Sequence, residues 1–135
     1  MAGHLEPRLR YAPTWHGVGA LLVLSVIFLS LIPKLPVDLP GIPGIDKIGH
    51  FIAYATLMGW YVQILISTRA RLISGLFFVA MGIGLEFIQG LGASRFFEWA
   101  DAAANSIGVV AGFALGRTRF ANILQEVERR WFAGQ

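Results

Sequence analysis

The sequence predicts an all-α membrane protein: a bundle of four transmembrane helices followed by a C-terminal amphipathic surface helix. Composition is the first reason. The chain is 56% hydrophobic and only 14% charged, whereas soluble domains carry about 25% charged residues. Segment length is the second. Apolar stretches of about 20 residues recur, enough to cross a ~30 Å hydrocarbon core. The third is a change of character near the end, where apolar residues fall at helical spacing among charged ones.

With 135 residues and no internal repeat, a single domain over 1–135 is expected. There is no cysteine, which excludes disulfides, thiolate catalysis and Cys-ligated zinc. The net charge of +3 says less than where the charges lie. No nucleic-acid partner is expected.

Met1 to Thr14 is polar and broken by Pro7 and Pro13, so little fixed structure is expected there. The first span is 15–32. Serines are its only interior polar groups, which makes it the most lipid-facing helix, and Trp15 and His16 sit where an interfacial anchor belongs. The run is too long for a signal-peptide core and no small-x-small cleavage site follows it. Pro33, Pro36, Pro40 and Pro43 then forbid a helix and predict a stiff, extended connector.

The second span is 46–67, the third 72–90 and the fourth 99–116. Thr68-Arg69-Ala70-Arg71 is read as the tight connection between the second and third, and Gly90 to Glu98 as the loop before the fourth. From 118 to 132, Phe120, Ile123, Leu124, Val127 and Trp131 share a stripe, and Glu126, Glu128, Arg129 and Arg130 fill other positions. This pattern suits a helix lying on an anionic membrane surface; a partner-helix interface is the alternative. Orientation follows from Lys and Arg. One side would carry Arg8, Arg10, Arg69, Arg71, Arg117, Arg119, Arg129 and Arg130, the other Lys34, Lys47 and Arg95. The excess places both termini in the cytoplasm.

Polar residues within the spans gather at one depth. Asp46, His50 and Tyr54 are four apart and share a helix face. At 1.5 Å per residue, His50 and Glu86 each lie about 6 Å inside the outer end of their helices. Gln89 lies near Glu86, and Asn105 one turn below Asp101. Charges at such depth are expensive unless paired, protonated or facing water. Asp101 at a helix start also has a plain role as a cap, and Phe96, Phe97 and Trp99 read as an aromatic belt. Below these polar groups run Gly75 and Gly82, then Gly108, Gly112 and Gly116. Small residues at this spacing let helices approach closely. They predict a tight bundle of spans two to four, closed below by glycine and open outward; the Gly108/Gly112/Gly116 stripe could instead serve a homo-oligomer.

The ordered set Asp46-Lys47-x-x-His50-x-x-x-Tyr54, Glu86-x-x-Gln89, Arg95 and Asp101-x-x-x-Asn105-x-x-Gly108-x-x-x-Gly112 resembles that of the VanZ-like integral membrane proteins. The match covers Asp46 to Gly112. Gly92-Ala93-Ser94 lacks the proline often found before the arginine in that family. The resemblance implies a small bacterial inner-membrane protein with these polar positions as its signature. It also implies a possible link to tolerance of lipoglycopeptides such as teicoplanin. It supplies no reaction.

Three functions fit the residues. In the first, the outward cavity binds the head group of an envelope lipid or lipid-linked cell-wall precursor. Lys47 and Arg95 contact phosphate, Glu86, Asp101 and Asn105 contact hydroxyl or amine groups, and Tyr54 and Gln89 complete the binding wall. In the second, an enzyme uses His50 as general base, oriented by Asp46 or Glu86, with Asp101 in the same layer. A proton path is the third; the inner half of the bundle, with little beyond Gln63 and Thr56, offers it few groups. Asp46, His50, Glu86 and Asp101 are residue types that could ligate one divalent metal, but no spacing of the HxxEH kind supports it, and neither a metal nor a cofactor is expected.

Overall fold

The computed structural model of the chain describes residues 9–32, 44–92 and 96–134. The proline connector and Arg95 lie outside them. Among the described residues the fold is all-helical: α1 (Ala12–Leu31), α2 (Ile45–Ile64), α3 (Thr68–Gly90), α4 (Trp99–Leu115), a 3-10 turn (Arg119–Asn122) and α5 (Ile123–Ala133).

Helix α1 begins three residues earlier than expected. Pro13 lies in its first turn, where its fixed φ suits the helix and its missing N–H costs nothing. The segment before it is also held, with Leu9 buried among Ile64 and Leu124. Gly44 starts α2 with φ 82°, a left-handed conformation that glycine adopts without strain. The expected loop Thr68 to Arg71 is instead the first turn of α3. Ser67 caps it by accepting the Ala70 N–H at 3.1 Å. The real connection is Leu65 to Ser67, and Arg71 Nε returns to the Leu65 carbonyl at 2.8 Å.

The closest helix pair is α2 with α4. Glycine explains it. A Cβ on Gly112 would stand 2.6 Å from the Ala55 carbonyl oxygen, and one on Gly108 would collide with that of Phe51. Gly116 faces Val62 in the same way. The stripe is therefore used within the chain. Tyr54, Leu57, Met58, Val62, Phe78 and Val109 form the core beside this seam. Helix α1 packs outside, with only Gly19 buried, against Trp60 and Tyr61.

Helices α1 and α3 are each long and apolar enough to cross a membrane. Helix α4 meets that standard only together with the chain from Arg119 to Ala133, across a bend of 76°. The four expected spans are thus not all supported by length and composition. The cause lies in the polar residues: α2 opens with Asp46, Lys47 and His50, while α4 has 17 residues and includes Asp101 and Asn105.

The amphipathic expectation for the C-terminal segment holds in part. Phe120, Ile123, Val127 and Trp131 are exposed as one stripe. Glu128, however, is turned into the bundle and is 8% exposed. Its carboxylate accepts the N–H of Arg10 at 2.6 Å, that of Tyr11 at 2.9 Å and Trp15 Nε1–H at 2.7 Å. An acid on the opposite side of a surface helix thus holds the start of α1, where orphan N–H groups and the helix dipole favour negative charge. Burial pushes Glu128 up, but the donors of Tyr11, Trp15 and Arg10 outweigh it and hold the carboxyl below the ordinary glutamate range. Gln63 completes this end by donating to the Phe120 carbonyl and accepting the Leu124 N–H.

Candidate functional site

At the other end of α2 the polar layer assembles as three facing walls. Helix α2 supplies Asp46, Lys47, His50 and Tyr54; α3 supplies Glu86; α4 supplies Asp101 and Asn105. Close backbone approach at Gly108 brings α4 against α2, and Gly82 admits Asn105 and Tyr54 beside α3. A Cβ at Gly82 would meet Asn105 Cβ at 3.1 Å and Tyr54 Cε1 at 3.2 Å. The glycines below are therefore what allow the polar groups above to meet.

Lys47 is enclosed by carboxylates. Its Nζ lies 2.9 Å from Glu98 Oε2, 3.2 Å from Asp101 Oδ1 and 3.3 Å from Asp46 Oδ2. Placed to contact phosphate by the sequence reading, it is here committed to three acids. His50 sits between two α4 residues. Its Nδ1 is 3.0 Å from Asn105 Oδ1, and its Nε2 is 3.6 Å from Asp101 Oδ2. Asp101 thus serves the cluster and does not cap its helix. The N-cap of α4 is Glu98, with no side-chain cap bond.

Glu86 and Asn105 are each 2% exposed and Asp101 6%. Glu86 Oε1 accepts the backbone N–H of Glu98 at 3.1 Å, which fastens the start of α4 to α3. Tyr54 is buried at 2% exposure, and its hydroxyl has no hydrogen-bond partner among the described residues. Gln89 is turned elsewhere: its Nε2–H donates to the Ser30 carbonyl of α1 at 2.6 Å. It braces α1 against α3 and does not join the carboxylate layer. Phe97 packs on Phe87 and Trp99, with both ring centroids 4.7 Å away, while Phe96 and Trp99 project outward.

Glu98 is the residue the sequence reading missed. It stands three before Asp101, at the boundary between loop and helix, where the sequence pattern reads as loop. An acid three positions before Asp101, on the same helix face, is the available signal. With Glu98 included, Asp46, Glu86, Glu98 and Asp101 share only Lys47 and His50 among the described residues. The layer is acidic in balance. It favours a cation, an amine or hydroxyl donors and disfavours an anion.

No curated protein and no solved structure gives a significant match to the chain. The model of the VanZ/LLP1 family does match, over residues 9–121. That interval includes every polar residue of the layer and all of α1 to α4. The apolar α1 and α3, the polar layer between helix ends and this match agree, and the chain belongs to the VanZ/LLP1 family of membrane proteins.

Proposed function

We propose that all four helices α1 to α4 span the bacterial inner membrane with both termini cytoplasmic, and that the polar layer faces outward to bind the head group of an envelope lipid or lipid-linked cell-wall component. The acidic balance of the layer carries this reading. Among the described residues four acids, two of them buried, face only Lys47 and His50, and head groups offer the amines and hydroxyls they would pair with. The lysine and arginine distribution supports the orientation. The family is associated with teicoplanin resistance in general, which fits a role at the envelope surface.

A second observation supports a lipid. An apolar groove of about 510 Å³ follows α2 from Phe51 and Ile52, beside His50, to Gln63 and Leu124. An acyl chain lying there would bring its head group to the polar layer. In this arrangement Glu86, Asp101 and Asn105 receive amine or hydroxyl donors, and phosphate contact falls to Arg95. Lys47 organises the acids and does not meet the lipid.

Mass spectrometry of protein extracted gently from its own membranes tests this. Wild type is expected to retain one lipid class that Glu86→Gln and Asp101→Asn lose. The same lipid retained equally by both variants would refute it. Chemistry on the head group is the alternative, favoured by the fixing of the His50 imidazole by Asn105. Turnover of the retained lipid by wild type but not by His50→Ala would establish it.

A further inference from the structure

The polar layer contains two groups of three potential metal ligands, and they differ in one respect. In the first, Asp46, Glu98 and Asp101 surround the Lys47 ammonium, which lies within 3.3 Å of each. That group already has its cation. The second is His50, Glu86 and Asp101, whose ligand atoms all lie within 4.8 Å of one another. The two groups share Asp101: its Oδ1 takes Lys47 at 3.2 Å, while its Oδ2 faces His50 and the second group.

We propose that His50, Glu86 and Asp101 bind a first-row divalent metal ion, of which zinc and manganese are the natural candidates. The donor set is one imidazole nitrogen and two carboxylates, which suits these ions better than calcium or magnesium. The spacing is close to what coordination needs. His50 Nε2 and Asp101 Oδ2 are 3.6 Å apart, and ligands on a tetrahedral zinc at 2.0–2.1 Å stand about 3.4 Å apart. Asn105 sets the imidazole. With its carbonyl oxygen on Nδ1, the proton belongs there, and the Nε2 lone pair faces the carboxylates. This is the outer-shell arrangement that metal-bound histidines use.

Glu86 is held in place by the Glu98 N–H on its Oε1. An independent feature also points to a ligand. Tyr54 is 2% exposed, and its hydroxyl, in the field of Glu86, has no partner among the described residues. A water or head-group oxygen on the metal would give it one. His50 is the partly exposed member, at 20%, and marks the side from which an ion enters. Among the described residues Glu86 has no cationic partner, and a divalent ion between it and Asp101 would supply one.

This deepens the head-group reading because it concerns the same site, but it does not require a lipid. The test uses the full chain in detergent after chelation and delipidation, titrated with Mn²⁺ and followed by the loss of the free-ion EPR signal. Zn²⁺ content after loading is measured on the same samples. One ion per chain is expected for wild type. His50→Ala and Asp101→Asn should abolish uptake, and Asn105→Ala should weaken affinity about 10–100-fold. Circular dichroism reports whether each variant keeps its helices. Where one does not, Glu86→Gln is read in its place. Two outcomes overturn the proposal: no uptake by wild type, or equal uptake by folded triad variants. Lipid retained in chelated protein that takes up no metal would leave the head-group reading standing alone.

Discussion

Two buried acid sites lie at opposite ends of α2, and they are built on opposite principles. At the Ile64 end a single carboxylate, Glu128, meets three N–H donors and has little capacity left. At the Asp46 end Asp46, Glu86, Glu98 and Asp101 share, among the described residues, one lysine and one histidine, and the Tyr54 hydroxyl has no partner there. The first site is saturated and holds the fold together. The second retains unmet polar capacity, which costs stability and is kept where a ligand can supply the missing partner. Among the described residues the count of partners separates the two.

Both sites depend on the glycine seam between α2 and α4, so the largest effect should remove the contrast altogether. Gly108→Leu drives a side chain into the Phe51 carbonyl and should cost more than the ~1–3 kcal/mol typical of overpacking. Detergent size-exclusion profiles are expected to show loss of the monodisperse folded species. A normal profile would mean that the helices can separate without penalty.

Glu128→Ala comes next. It strips an acceptor from three donors at once, and leaving buried donors unpaired costs about 1–3 kcal/mol. Trp15→Phe removes only one of them and should cost about 1 kcal/mol. Thermal unfolding of the two variants should rank in that order.

The saturated site also has a pH signature. Because the Glu128 carboxyl is held below its ordinary value of 4.5, its contribution is full above the unfolded value. It is lost as the pH falls through the lowered folded value. The stability gap between wild type and Glu128→Ala should therefore persist at neutral pH and close progressively below about pH 4.5. A gap that widens on acidification would contradict the assignment. The smallest effect belongs to the exposed pairs of Glu126 with Arg129 and Arg130. Glu126→Gln should leave thermal unfolding unchanged within error, since such pairs are screened by water and salt.

Much of this was legible in the residues. Asp46, His50 and Asp101 meet because four-residue spacing fixes a helix face and glycine fixes the approach of a neighbour. Periodicity also marked the stripe from Phe120 to Trp131. What it could not show is which partner a long side chain chooses. Gln89, one turn beyond Glu86, turns to the Ser30 carbonyl near the end of α1. Glu128 looked solvated by pattern, yet it is held by donors more than 110 positions earlier in the chain, a contact that no local spacing encodes. The Thr68 boundary failed for a local reason: a serine cap outweighed the reading of two arginines as a loop.

The central claim is that the polar layer at the Asp46 end is kept for a ligand, while Glu128 is kept for the fold. Thermal unfolding of Glu86→Gln beside Glu128→Gln, in one detergent at neutral pH without added metal or lipid, tests it most directly. Glu86→Gln removes one charge from an acidic layer and keeps an acceptor for the Glu98 N–H. It should unfold at or above the wild-type temperature. Glu128→Gln loses the charge that its three donors favour and should unfold several degrees lower. Equal losses in the two variants would show that both acids are structural and would contradict the account.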